Sequence, residues 1–456
     1  MTSLLQLSLL LSVITSLICA DGPLRGGDHR SINLKTLENE KIQPRVTHVF
    51  KEGIPSLSSR DDISKRSSVQ HDHIHDVIFV IHQKNMEQLT SLLNDVSNPT
   101  SSKYGHHISR NDVADMTSNI EACDAVARYL DALGATIESK TLNCEYITAS
   151  AMVSVWEKVF DTRFFTFHMI QRDNVELKIV RAEKYSIPHE LSQHVDSVFN
   201  TIQMPLQGSC VTTTPMKALK TSDGHISVEG TDASTTITPS KLRSAYKMGS
   251  SQGSAASTQA IYGTIKQFFS PSDLAEFQKM MGLQNQVLQR SVGNHSSDIE
   301  CIKNSESCAE ANLDVQYIMA LSPQSPTAYM YTDAILLSTW FKSVADMTNP
   351  PLVISISYGT EESLVSWGEM DAFTTEAKKL GAMGVTIVVA SGDDGALSKK
   401  VGTVGRSACG YTPFFPASNP YVVSVGATAV RPYRTAKGVI IMKPIKCTFI
   451  THLSFN

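Results

Sequence analysis

Glu310 and Asp314 stand four residues apart in AEANLDVQY, residues 309–317. On a helix that spacing puts both carboxyl groups on one face, with Cβ atoms about 5–6 Å apart, where two ionised acids repel. Leu313, Val315, Tyr317, Ile318, Met319 and Leu321 leave the segment almost no wet side. Paired buried carboxyls share a proton, and the pKa of one member rises when ionising both is costly. Such a pair suits acid chemistry: below about pH 5 a histidine is already protonated, whereas a carboxylate still accepts a proton. Two more candidate stretches stand where apolar runs stop. Ser357, Tyr358 and Gly359 follow ISI, and Ser391, Gly392, Asp393, Asp394 and Gly395 follow VVA. Glycine beside an acid at a strand end admits close approach by a ligand. The same letters also spell an Asp-Gly turn, and both readings stay open.

These residues need a scaffold, and the pattern beyond residue 237 supplies one. Apolar strand-like runs (STQAIYGT, TAYMYT, PLVISISYG, VTIVVASG, NPYVVSVGA) alternate with helical spacing in SPSDLAEFQKMMG, EANLDVQYIMAL, AILLSTWFKSVADM and MDAFTTEAKKLGAMG. Continuously apolar strands are those covered on both faces, so a parallel α/β sheet is expected, with its site at the carboxyl ends of the strands. Residues 77–205 mix strands (DVIFVIH, ITASAMVSV, RFFTFHMI) and helices (NMEQLTSLLNDVSN, EACDAVARYLDALGA) without strict alternation, which reads as α+β. Between the halves, 206–236 is rich in Ser, Thr and Gly and reads as an exposed, cleavable linker.

At 456 residues the chain has room for two or three domains, and a hydrophobic fraction of 41% with a net charge of −4 fits a globular protein. That mild charge argues against a nucleic-acid partner. Residues 1–20 read as a signal peptide ending at Ala20, with a short membrane anchor as the competing reading; no membrane association is expected once it is removed. Residues 21–76 read as a polar, loosely ordered leader. HDHIHD (71–76) offers metal ligands but reads better as solvated, and no metal site is assigned. Export would permit disulfides. Cys301 and Cys308 bracket a short polar loop and are expected to pair, whereas Cys123, Cys144, Cys210, Cys409 and Cys447 are left without assigned partners. Asn294 lies in a glycosylation sequon.

Several segments then match one family in its own order. VSNPTSSKYGHHISRNDVADM, ITPSKLRSAYKM, EANLDVQYIMA, ISISYG, VVASGDDGA and FFPASNPYVVSVGAT together resemble the sedolisins, the serine-carboxyl peptidases, and their lysosomal tripeptidyl-peptidase branch most closely. The resemblance implies a subtilisin-like α/β peptidase domain over 237–430, an α+β activation prodomain over 77–205 that acts as intramolecular inhibitor, and peptides or proteins as substrates. It implies Glu310 as general base, Asp314 as the acid that orients it, and Asp393 as a protonated donor in the oxyanion hole. Ser357, Tyr358 and Gly359, with Ser391 and Gly392, would bind substrate backbone along a strand edge. It also implies a lysosomal, vacuolar or extracellular destination by the secretory route.

The chain departs from that pattern at one point. A nucleophilic serine in a Gly-Thr-Ser segment is expected downstream of VSVGAT, and no such segment stands in the sequence; residues 431–456 match nothing in the pattern. The calcium loop of the complete family fold is expected in the same missing portion. The expectation is an acid peptidase precursor that is inactive as written, with a non-catalytic pseudopeptidase or prodomain-type inhibitor as the alternative. An aspartic protease would need Asp-Thr-Gly or Asp-Ser-Gly loops, which Asp161-Thr162-Arg163 does not supply. A carboxylate-pair glycosidase lacks an aromatic platform near Glu310.

Overall fold

The computed structural model describes residues 47–54, 62–170, 176–205, 237–332, 347–392 and 412–426, with Trp340, Ser343, Val344 and the backbone of four short strands outside these ranges. The N-terminal region is built on a four-stranded antiparallel sheet in the order Thr136–Lys140, Tyr146–Met152, Ile74–Ile81, Val195–Phe199. Alternation along Ile74–Ile81 sends Val77, Phe79 and Ile81 into one core, where they meet Trp156 and Phe160, whose rings stack at 5.6 Å. A disulfide between Cys123 and Cys144 ties the helix Ile120–Ala132 to the turn before Tyr146. That helix ends at Gly134, whose φ of 70° closes it as a left-handed residue does.

Two differences from the sequence reading appear here. Part of the stretch read as loose leader is strand: His48–Gly53 pairs with Lys184–Pro188, and Ile63–Ser68 with Phe164–Ile170. Its polar letters hid this because only one face of each strand is covered, as at Glu52 and Ile63. ITASAMVSV is not one strand either. The strand stops at Met152 and the helix Val153–Val159 starts at once, because Val153, Trp156 and Val159 recur at helical spacing and are buried.

The C-terminal half forms a six-stranded sheet, parallel throughout, in the order Arg290–Val292, Thr327–Tyr331, Gln259–Gly263, Val353–Ile356, Thr386–Ala390, Val423–Val425. Successive side chains serve opposite faces. Ile261, Tyr329 and Tyr331 pack under the helices Pro271–Met280 and Ala309–Leu321. Tyr262, Ile354, Ile356, Ile387 and Val389 pack under the helix Trp367–Ala382. Coverage on both faces explains why these strands read as unbroken apolar runs. Of the expected helix AILLSTWFKSVADM, only Trp340, Ser343, Val344 and Met347 fall among the described residues; Trp340 stacks on Phe373 at 6.1 Å.

The N-terminal sheet shares a core with the C-terminal half. Val80, Tyr146 and Phe199 join the cluster around Phe373, Ala377 and Leu380. The amide of Ile108 donates to the carbonyl of Ala382 at 3.1 Å.

Candidate active site

Two of the predicted acids, Glu310 and Asp314, lie at the carboxyl ends of the strands Gln259–Gly263 and Val353–Ile356. Glu310 lies in the first turn of the helix Ala309–Leu321 and is 8% exposed. An acid there meets the positive end of the helix dipole. The first-turn amides of a helix lack intrahelical partners, and Gln267 meets this one: its Oε1 accepts the Glu310 N–H at 3.2 Å. Gln267 also donates from Nε2 to the carbonyl of Glu306 at 3.1 Å, and its own carbonyl accepts the Tyr329 hydroxyl at 2.9 Å. The disulfide Cys301–Cys308, paired as expected, closes the loop immediately before Glu310. The start of the acid helix is therefore fixed from three sides.

Asp314 lies one turn further on. Its Oδ1 accepts a hydrogen bond from the Ser357 hydroxyl at 3.0 Å, which joins the helix to the end of the strand Val353–Ile356. Its Oδ2 is buried with no hydrogen-bond partner among the described residues. Burial pushes the carboxyl up to about 7, and the Ser357 bond opposes that rise. The phenols of Tyr329 and Tyr358 are pushed up first by burial and further by the nearby charges of Asp314 and Glu310. Glu310, Asp314, Ser357, Tyr329 and Tyr358 thus lie near enough for Asp314 to bond the serine and for both acids to act on the phenols. A carboxyl that is protonated below about pH 7 can hold and return a proton in acid.

The other predicted residues fall as follows. Ser357 turns its hydroxyl to Asp314, so its side chain serves the acid pair and leaves only its backbone for a strand-edge contact. Tyr358 is buried, its ring edge-on to Tyr262 at 5.8 Å. Gly359 and Gly392 both lie against the ring of Phe414. The Ser391 amide donates to the Val425 carbonyl at 3.0 Å. Asp393 and Asp394 lie outside the described residues, as do the signal-peptide residues, the body of the linker and Cys210, Cys409 and Cys447. Asn294 is exposed, with a left-handed φ of 55°.

In the HDHIHD tract, His71 and His73 are exposed whereas His75 points inward and bonds the Asn200 carbonyl at 2.8 Å. Among the described residues no three His, Cys, Asp or Glu side chains gather as a metal ion would need, and no calcium site is assigned to them. Sequence reasoning missed Gln267 and Tyr329. Gln267 follows a strand in a loop with no motif, and Tyr329 reads as one more apolar strand residue.

Comparison with known proteins supplies the lineage. Residues 61–204 match the family described as the Pro-kumamolisin activation domain. The chain is 28% identical over 382 residues to tripeptidyl-peptidase 1 of Canis lupus familiaris, covering 79% of this chain and 63% of that protein. It is 28% identical over 370 residues to tripeptidyl-peptidase 1 of Homo sapiens, covering 77% and 61%. A solved Pseudomonas sedolisin, a serine-carboxyl proteinase, aligns at 23% identity with a TM-score of 0.36, over 45% of this chain and 56% of that one. These likenesses support a sedolisin-type assignment. It spans less than two thirds of the length of these tripeptidyl-peptidase relatives.

Proposed function

We propose that these residues are the activation domain and the acid-pair portion of a serine-carboxyl peptidase precursor of the tripeptidyl-peptidase or endopeptidase type, with a subtilisin-like peptidase fold. The observation that carries this reading is buried Glu310 and, one helical turn on, Asp314 with its Oδ2 buried and its Oδ1 bonded to Ser357 at 3.0 Å. Glu310 is the general base toward a serine hydroxyl. Asp314, neutral in acid because its carboxyl sits up at about 7, holds a proton on the Oδ2 side and orients Glu310. Asp393 would donate to the oxyanion of the tetrahedral intermediate. The strand ends at 357–359 and 391–392 would pair with peptide backbone.

No Gly-Thr-Ser segment stands in the 456 residues, so the polypeptide they make would hold base and orienter without a nucleophile and would not turn over peptides. Calcium would be held by a loop of the complete family fold and is assigned to none of the described residues. Processing within 206–236 would part the two halves. An acidic compartment reached by secretion, or the exterior, suits both the acid pair and the two disulfides among the described residues. The test is tripeptide release at pH 4–5 by the 456-residue polypeptide and by the polypeptide extended with any frame the transcript encodes past Asn456. The extended form should be active and lose at least a thousandfold of kcat on Glu310→Gln, about 4 kcal/mol of barrier. Turnover by the 456-residue form that survives Glu310→Gln would overturn the assignment. The absent serine segment also favours a second reading, a non-catalytic inhibitor of active relatives. Submicromolar inhibition of such a relative by the intact 456-residue chain would establish it.

A further inference from the structure

The helix Trp367–Ala382 is buried on two sides. Toward the sheet it presents Phe373, Ala377 and Leu380, and toward the N-terminal region Glu369, Glu376 and Lys379. Two polar knots fasten that second side. In one, Lys379 Nζ lies 3.2 Å from Glu145 Oε1 and 3.3 Å from Glu376 Oε1, and Tyr146 donates its hydroxyl to Glu376 at 3.1 Å. Arg110 lines the same cavity, so two acids face two bases there.

The other knot is acid-rich. Glu52, from the strand His48–Gly53, accepts the Gly368 N–H at 3.3 Å and the Tyr185 hydroxyl at 3.2 Å. Glu369 lies beside it, 3.4 Å from the Ser366 hydroxyl, and feels the charges of Glu52 and Arg181. Among the described residues Arg181 is the one buried cation acting on Glu369, and it directs Nε and Nη1 to the carbonyls of Gln203 and Val180. At the rim Lys51 acts on Glu52 and Asp196, while Asp371 meets Asp196 and Lys378, so the rim brings no surplus cation inward. Two buried carboxylates against one buried cation leave an uncompensated charge unless one carboxyl is protonated.

We infer that the N-terminal region docks on the helix Trp367–Ala382 by taking up a proton at the Glu52 and Glu369 pair, so that the interface closes more tightly as pH falls. Burial, then the charge of Glu52, pushes Glu369 up to about 8. Glu52 is also raised, first by its own burial. The sign follows from linkage. A carboxyl whose docked pKa lies above its free value takes up a proton on docking, so stability is greatest in acid and declines as pH climbs toward the docked value. Falling pH therefore tightens this pair down to the ordinary carboxyl range, whereas the Glu145–Lys379 ion pair on the same face, its acid held below that range, loosens only in stronger acid. The inference goes beyond the peptidase reading and does not need it.

The test is hydrogen exchange of the amides of residues 367–382 in the intact 456-residue chain from pH 6 to 8, corrected for intrinsic rates. In the unsubstituted chain the opening equilibrium should rise about tenfold per pH unit. Glu369→Gln, or Glu52→Gln if that variant folds better, should flatten the slope. A flat profile in the unsubstituted chain overturns the inference, and so does an unchanged slope in a folded Gln variant. The readout requires no turnover, so an inactive peptidase would leave it standing.

Discussion

His75 offers a measurable acid weakness inside the N-terminal region. It is 7% exposed, its ring lies 5.2 Å from that of Phe164, and Nε2–H donates to the Asn200 carbonyl at 2.8 Å. A further proton has to enter at Nδ1. Burial, then the charge of Arg181, holds the imidazole down at about 4 from an ordinary 6.5, with His73 lowering it and Asp76 raising it. Neutral His75 therefore supports the fold fully above pH 6.5, and that support drains away as pH falls toward 4. The whole difference corresponds to about 3.4 kcal/mol, of which about 2.5 kcal/mol is lost by pH 4.5. Replacing His75 with Gln keeps a neutral donor that does not titrate. His75→Gln should cost about 1 kcal/mol at pH 7 through imperfect hydrogen-bond geometry. At pH 4.5 the variant should be the more stable form by about 1.5 kcal/mol. Urea unfolding at both pH values measures this, with fluorescence reporting on the site, since the Trp156 indole donates to the His75 carbonyl at 2.7 Å. A variant less stable by the same margin at both pH values would refute the reasoning.

Two further outcomes are expected. Ser357→Ala removes the bond that opposes the rise of the Asp314 carboxyl; its titration, followed by carbon NMR of labelled aspartate, should move up by about one pH unit, and an unmoved titration would mean that the serine does not control the acid. Cys301→Ser with Cys308→Ser opens a loop of sequence separation 7 at the start of the acid helix. Stability should fall by about 2 kcal/mol, with faster hydrogen exchange concentrated at residues 304–312.

The parallel sheet was legible because LVISIS and VTIVVA carry no polar alternation, which only two-sided burial explains. Glu310 and Asp314 stood out because two acids four apart in an apolar helix repel, and the structure sets Glu310 in the first helical turn and bonds Asp314 to Ser357. Ser357 was read as substrate edge, since nothing local shows that its hydroxyl meets a side chain 43 positions earlier. Cys123 and Cys144 could not be paired beforehand because pairing depends on how a helix and a distant turn approach. The strand His48–Gly53 stayed hidden because it has a single buried side chain, Glu52, an acid that makes sense only once Gly368 stands opposite it.

Phe414 occupies the gap left by two missing side chains. A methyl on Gly359 would collide with its ring and with the Phe415 carbonyl, and one on Gly392 would come within 3.2 Å of the same ring. The short pairing of Phe414–Phe415 with Thr360–Glu361 keeps the ring seated over the ends of two neighbouring strands. The phenyl group works as a stopper in a slot that its own chain has left vacant. Any side chain larger than hydrogen at 359 or 392 would have to push that stopper out, so these two positions tolerate no growth without unseating residues 414–415.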